Sequence, residues 1–215
     1  MTNLKQQAAL AALDYIEDNM VVGIGTGSTV NCLIDELVKI RSRLEACVAS
    51  SKATEAKLRS LNLPIIDLNA TAEVHLYIDG ADEVNEAHQM IKGGGGALTR
   101  EKIIATNALE FICIVDETKL VKQLGTFPLA VEVLPIARSF VARELVKLGG
   151  DPEYREGFVS DNGNVILDVY NLDLTDATLM EEAINLIPGV LDNGLFAKRL
   201  ANKVILASQI GIRVF

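Results

Sequence analysis

The chain has 215 residues, 49% of them hydrophobic, and a formal charge of −9. That length suits one domain, or a larger domain with a smaller one attached. The negative balance argues against general binding to nucleic acid or to an anionic membrane surface. No apolar run approaches the length of a membrane span, and the opening Met-Thr-Asn-Leu-Lys-Gln-Gln has no signal-peptide pattern, so the cytoplasm is the expected location. Cys32, Cys47 and Cys113 are widely spaced with no Cys-x-x-Cys pair and read as buried thiols, with neither a disulfide framework nor a zinc site. His75 and His88 share no metal-ligand spacing, and His75, alternating with Val74 and Leu76, reads as a structural histidine.

In chain order, residues 4–18 predict a helix with a small-residue stripe of Leu4, Ala8, Ala11, Ala12 and Tyr15. A short strand at 21–25 runs into Gly23-Ile-Gly-Thr-Gly-Ser-Thr29, and Ser28 or Thr29 is a candidate cap for a helix that turns Leu33, Ile34, Leu37 and Val38 inward. A strand, a glycine-rich turn and a helix N-terminus make an anion site, because the backbone can approach closely and free amides point outward. The spacing is neither the dinucleotide G-x-G-x-x-G nor a lysine-bearing phosphate loop, and a tight turn without a ligand is the competing reading. A strand at 46–49, a helix at 53–61 and a short strand near 64–68 follow.

The strand 74–78 ends at Asp79-Gly-Ala-Asp82, at the kind of strand end where open α/β sheets bind ligands. Three readings stand side by side: an Asx turn, a magnesium site of Asp79, Asp82 and Glu83, and a metal-free functional pair, which ranks above the metal. Lys92 then precedes the run Gly93–Gly96, which is either a flexible loop or a close approach to a ligand. In the next helix, Thr99 is a candidate cap and Ile104, Ala105, Ala108 and Leu109 form an apolar stripe. Glu101 falls in the middle of that stripe. A carboxylate there is buried or half-buried, which is costly without partners; it either stabilises its own helix or has a functional task. A strand at 111–115 leads to Lys119, a candidate anion contact or a solvated lysine.

From Leu129 the pattern changes to strand 129–133, helix 137–148, strand 154–159, the turn Asp161-Asn-Gly163, strand 165–170, helix 176–187 and strand 189–195. Asn-Gly between two β-rich runs signals a hairpin, and the β-α-β-β-α-β order is ferredoxin-like. The charges of this module read as solvated faces and its task as structure or subunit contact. A strand at 204–207 is expected to return to the first sheet. The expected architecture is therefore α/β: a Rossmann-like, mostly parallel sheet domain at 1–127 plus 203–215, with a smaller ferredoxin-like α+β domain at 128–202 inserted before the C-terminal strand.

Four blocks in this order, Gly23-Ile-Gly-Thr-Gly-Ser-Thr29, Tyr77-Ile-Asp-Gly-Ala-Asp-Glu83, Lys92-Gly-Gly-Gly-Gly-Ala-Leu-Thr-Arg-Glu-Lys102 and Phe127-Pro-Leu-Ala-Val-Glu-Val133, resemble the type A ribose-5-phosphate isomerases over essentially the whole chain. Gly96 stands where some relatives have alanine. The resemblance implies interconversion of ribose 5-phosphate and ribulose 5-phosphate in the pentose phosphate pathway, without a cofactor or metal. It implies Glu101 as proton acceptor, with Asp79, Asp82 and Lys92 also in the catalytic set. Thr26, Gly27, Ser28 and Thr29 would line the substrate site, as would Asp79, Gly80, Ala81 and Asp82, then Lys92, Gly93, Gly94 and Gly95, with Lys119 as a further contact. A homodimer or homotetramer is implied as well. A phosphosugar-binding module without turnover is a second reading, disfavoured by the coincidence of base, lysine and paired aspartates. A nucleotide-dependent oxidoreductase is a third, and the glycine spacing counts against it.

Overall fold

The computed structural model describes residues 3–215. The chain forms two compact units, one of residues 1–81, 100–120 and 201–215 and one of residues 82–99 and 121–200.

The first unit holds α1 (Leu4–Ala12), β1 (Met20–Ile24), α2 (Ser28–Leu37), β2 (Leu44–Ala49), α3 (Lys52–Ser60) and β3 (Val74–Asp79). The second begins with β4 (Glu83–Val84) and β5 (Met90–Ile91), and the unit boundary falls within α4 (Leu98–Asn107), which β6 (Ala108–Asp116) follows. Next come β7 (Leu129–Val133), α5 (Arg138–Lys147), β8 (Asp151–Tyr154), β9 (Val165–Tyr170), α6 (Ala177–Asn185), β10 (Val190–Asn193) and β11 (Leu195–Phe196). The chain closes with β12 (Lys203–Ser208) and β13 (Gly211–Val214) in the first unit.

The first unit is the expected Rossmann-like sheet, in the order β13-β12-β6-β3-β1-β2, with every neighbouring pair parallel except the terminal β12–β13 hairpin. Its central strands are apolar on both faces because helices cover both. Val22, Ile24, Leu76, Ile78, Ile112, Ile114 and Ile205 are buried beside Ala8, Leu33 and Leu37 from the helices. From β1 the chain moves one way to β2 and later the other way to β3. The β1/β3 junction is thus the topological switch point, and the parallel strands all end at one edge. At Gly23, a side-chain carbon would lie 2.6 Å from Cγ2 of Ile104, so glycine lets α4 press on the sheet here.

The second unit contains a four-stranded antiparallel sheet in the order β10-β7-β9-β8, with α5 and α6 as its crossovers, which is the expected ferredoxin-like module. A separate three-stranded sheet, β11-β5-β4, involves residues that the sequence reading left unassigned or joined to a neighbouring strand. Residues 82–99 and 121–127, expected with the first domain, belong to this second unit, since β4 pairs with β5, β5 with β11, and the Val121 amide with the Val84 carbonyl.

Several expected elements shift for local reasons. The first helix stops at Ala12 and tightens into a 3-10 turn at Leu13–Tyr15. Val38 lies past the end of α2 in another 3-10 turn and is exposed, whereas Val30 takes the inward place. Residues 64–68 contribute a single bridge, Cys47 to Ile65, instead of a strand. Ala108 and Leu109 belong to β6, where alternation buries the first and exposes the second, so only Ile104 and Ala105 remain as the apolar stripe around Glu101. The strand expected at 154–159 ends at Tyr154, and ten residues, 155–164, connect β8 to β9. The Asn162-Gly163 signal marks a turn inside that connection, closed by the Gly163 amide on the Ser160 carbonyl at 2.9 Å. Cys47 and Cys113 are buried, while Cys32 is only half-buried, its thiol near the Ser28 carbonyl. His75 is structural as expected, accepting the Val21 amide at Nδ1 at 3.1 Å. Among the described residues no helix is long and apolar enough to cross a membrane.

Candidate active site

In the first unit the site residues gather at the switch point. Gly25 follows β1, and a side-chain carbon on it would stand 1.9 Å from Oδ1 of Asp79, so only glycine lets this loop lie against the end of β3. The Gly25 amide donates to the Ile78 carbonyl at 2.9 Å and the Thr26 amide to Asp79 Oδ1 at 3.1 Å. The Gly80 amide reaches the same oxygen at 2.7 Å, and the Tyr77 hydroxyl donates to Asp79 Oδ2. Asp79 is fully buried, and these donors match an ionised carboxylate, which can only accept. It ties the turn after β1 to the end of β3.

Thr26 is also held by hydroxyls. Its Oγ1 lies 2.8 Å from Ser50 Oγ and donates to Ser51 Oγ at 2.8 Å; Ser51 donates to Thr54 Oγ1 at 3.0 Å, and Thr54 to the Gly25 carbonyl at 2.7 Å. Ser51 at the same time caps α3, accepting the Thr54 amide. Ser28 and Thr29 do not cap α2 but form its first residues, after Gly27, whose φ of +126° suits glycine. Their amides lie in the turn whose N–H groups have no partner within the helix. Lys5, which the sequence reading passed over, puts its ammonium 2.9 Å from Ser28 Oγ. An ammonium, two hydroxyl residues and a helix N-terminus suit a phosphate.

Glu101 lies in the first turn of α4 and is only 4% exposed, as its place on an apolar face implied. Its charge is felt at Tyr77. Burial first, then the charges of Asp79 and Glu101, hold that phenol well above its ordinary range, so it stays protonated and keeps donating. Thr26, Asp79, Gly80 and Glu101 are thus brought to one neighbourhood through Tyr77 and Asp79. Half-buried Ala81 ends this unit's segment, and half-buried Lys119 closes a 3-10 turn after β6 at the same sheet edge. The cleft of about 530 Å³ between Val48, Ile65, Arg100 and Ile103 is lined by none of the expected site residues.

In the second unit, half-buried Asp82 accepts the Gly94 amide at 2.8 Å through Oδ2. Lys92 is 3% exposed, its amide bonded to the Gly194 carbonyl at 2.9 Å and its ammonium 5.6 Å from the centre of the Phe196 ring, a cation–π distance. The glycine run is a packed turn instead of a loose loop. Gly93 and Gly96 both have positive φ, and side-chain carbons there would meet Ala130 at 2.7 Å and the Phe158 ring at 2.2 Å. Arg155 grips the carbonyls of Gly93 and Gly94 at 3.1 and 3.2 Å.

Nor are the charges of the ferredoxin-like module all solvated, as expected from sequence. Glu132, fully buried in β7, accepts from Ser160 Oγ at 2.5 Å, Asn164 Nδ2 at 2.9 Å, Asn162 Nδ2 at 3.1 Å and the Thr99 hydroxyl. Thr99 is therefore the second residue of α4, its hydroxyl given to Glu132, and not a cap before the helix. Glu83 is buried too, and takes the amides of Gly125 and Phe127 at 2.8 and 2.6 Å. Among the described residues no group of three or more His, Cys, Asp or Glu side chains stands where it would hold a metal. The supporting residues Ser50, Ser51 and Thr54 carried a readable signal, a Ser/Thr pair between a strand and a helix; Arg155 and Glu132 carried none, since their partners are distant in sequence.

A family model described as ribose 5-phosphate isomerase A (phosphoriboisomerase A) matches residues 46–211. A ribose-5-phosphate isomerase A from Legionella pneumophila (strain Corby) is 65% identical over 212 residues, covering 99% of this chain and 98% of the relative. The crystal structure of ribose 5 phosphate isomerase A from Neisseria gonorrhoeae superposes with a TM-score of 0.97 at 45% identity, covering 99% of this chain and 95% of that one. A D-ribose-5-phosphate isomerase solved in complex with phospho-erythronic acid superposes with a TM-score of 0.95 at 37% identity, covering 99% and 97%.

Proposed function

Since the chain belongs to the ribose 5-phosphate isomerase A family, we propose that it interconverts D-ribose 5-phosphate and D-ribulose 5-phosphate through an enediolate, in the non-oxidative pentose phosphate pathway. The observation that carries the mechanism is Glu101, a buried carboxylate whose charge acts on Tyr77 beside Asp79 at the switch point. The relative solved with phospho-erythronic acid supports a phosphorylated sugar as ligand.

In the open-chain aldose, Glu101 removes the proton on C2, and the electron pair forms a C1–C2 double bond as the aldehyde oxygen becomes negative. The same carboxyl returns a proton to C1 while the proton of the O2 hydroxyl passes to O1, which leaves a ketone at C2 and a hydroxyl on C1. Substrate and product have the same composition, and the proton held on the carboxyl can exchange with solvent, so the reaction balances with no redox cofactor. The phosphate binds the first turn of α2, with Ser28, Thr29 and Lys5 supplying donors and a local cation against the acidic average. Asp79 serves this chemistry from behind, locking the Gly25–Thr26 turn in register with β3. The same reading gives Lys92 and the amides of Gly93 to Gly95 the developing negative charge, and Asp82 the sugar hydroxyls. Lys119 remains a further substrate contact. The chain works in the cytoplasm as a homodimer or homotetramer, which light scattering on the purified protein decides.

The test is a coupled assay for ketose formation from ribose 5-phosphate, run with EDTA. Wild type turns over unchanged by the chelator, and Glu101→Gln loses about a thousandfold in kcat, within the range that positioned proton transfer contributes. Near-normal turnover by Glu101→Gln removes the base assignment. Binding of ribose 5-phosphate by wild type without ketose formation favours the non-catalytic binding module.

A further inference from the structure

The connection between β8 and β9 begins with Arg155, which makes an unusual set of contacts within the second unit. Its Nη1 donates to two successive glycine carbonyls, Gly93 at 3.1 Å and Gly94 at 3.2 Å. Its Nη2 and Nε donate to the two oxygens of Asp168 on β9, at 2.5 and 2.8 Å. The guanidinium carbon lies 5.3 Å from the centre of the Phe158 ring, and that same ring packs against Gly96. The planar fork is therefore fixed from the sheet side and spends its remaining edge on the glycine turn.

A peptide unit is planar, and its C=O and N–H point in opposite directions. Holding the Gly93 carbonyl fixes the plane that carries the Gly94 N–H. That N–H is the one that meets Asp82 Oδ2, at 2.8 Å. Holding the Gly94 carbonyl fixes the next plane and directs the Gly95 N–H away from the arginine. One side chain thus sets two successive peptide planes in a segment that, being all glycine, has no side-chain preference to set them itself.

We propose that Arg155 is a positioning residue of the isomerase, acting through the Gly93–Gly94 peptide on Asp82, with Asp168 holding the arginine. The inference rests on the reading of Asp82 as a substrate-site residue. On the glycine turn Arg155 bonds to the carbonyls of Gly93 and Gly94 and not to Asp82 itself. Lysine cannot replace it, because one ammonium does not hold two carbonyls and a carboxylate in a fixed plane.

A double-mutant cycle in kcat decides it, using Arg155→Met and Asp82→Asn in the full-length protein, with thermal melting of each variant. Arg155→Met is expected to lower kcat roughly tenfold, in line with small misplacements of a reacting geometry, while KM changes less than threefold. On the Asp82→Asn background the same change is expected to cost less than twofold, since its target is already gone. An equal loss on both backgrounds overturns the assignment, because the arginine would then act elsewhere or only on overall stability. If Asp82→Asn alone keeps wild-type kcat, the reading of Asp82 fails and this inference with it. Should Arg155→Met not fold, Arg155→Lys takes its place in the cycle with the same criterion.

Discussion

Two buried carboxylates, one in each unit, are satisfied in contrasting ways. Asp79 draws its donors from its own strand end, Tyr77 and Gly80, and from the turn after β1. Glu132 draws them from residues 28 to 33 positions away, Thr99, Ser160, Asn162 and Asn164. Each is fully buried, and no cation is among these donors, so neutral hydrogen bonds carry much of the cost of burial. The difference teaches where each region keeps its precision. In the first unit two donors next to Asp79 in sequence join one amide from 53 positions away, where two parallel strands end side by side. In the second a long connection is folded back and pinned, and the glycine turn is fixed by the same connection through Arg155.

The largest effect that bears on this contrast is expected at Glu132. Glu132→Ala removes the common acceptor of three buried donor residues, Thr99, Ser160 and Asn164, and of the exposed Asn162, and should destabilise the protein by about 4 kcal/mol, as breaking a buried polar network does. Urea unfolding measures it, and a loss under 1 kcal/mol would mean that the network is not what holds residues 160–164. A smaller and more local effect is expected at Asp79. Asp79→Asn keeps an acceptor for two amides but loses the charge that faces Tyr77, at a cost of about 2 kcal/mol. Paired with Tyr77→Phe in a cycle it should show a coupling of about 1 kcal/mol or more; strictly additive losses would show that the phenol does not serve Asp79.

The smallest expected effect is at alkaline pH. Burial pushes the Cys47 thiol up to about 12 from an ordinary value of 9.0, and Tyr77 lies well above 10. In the folded chain both keep protons that the unfolded chain releases, so unfolding is favoured as pH rises. The contribution of Cys47 is whole below about pH 9 and gone as pH passes about 12. Between pH 8 and 10.5 the stability should fall by about 1 to 2 kcal/mol by urea titration, and less in Cys47→Ala. A stability that rises over this window would contradict the burial of both groups.

How far these features were legible follows from the same contrast. Glu101 stood out because a carboxylate on an apolar helix face breaks a local rule, and burial confirms its place. Asp79 was legible as a strand-end acid, and its link to Tyr77 follows from the two-residue period of a strand, which puts both on one face. The Rossmann-like and ferredoxin-like orders were readable from strand–helix alternation. What escaped notice depends on long-range contact. A glutamate in β7 and an arginine after β8 look like ordinary surface charges until the chain folds, and four consecutive glycines look loose until Phe158 and Arg155 pack against them. Ala108 and Leu109 misled because two residues of a strand happened to extend a helical stripe. Asn162-Gly163 marked a true turn, but one inside a longer connection.

The central claim is that Glu101 carries the proton between the first two carbons of the pentose phosphate. Its most direct test is to follow deuterium from D₂O into ribose 5-phosphate and ribulose 5-phosphate by proton NMR, with wild type and with Glu101→Gln. Wild type should exchange the hydrogens on C1 and C2 in step with isomerisation, and the variant should bind the sugar phosphate while exchanging neither. Continued exchange at C2 by Glu101→Gln at a rate near that of wild type would contradict the claim and assign the proton to another base.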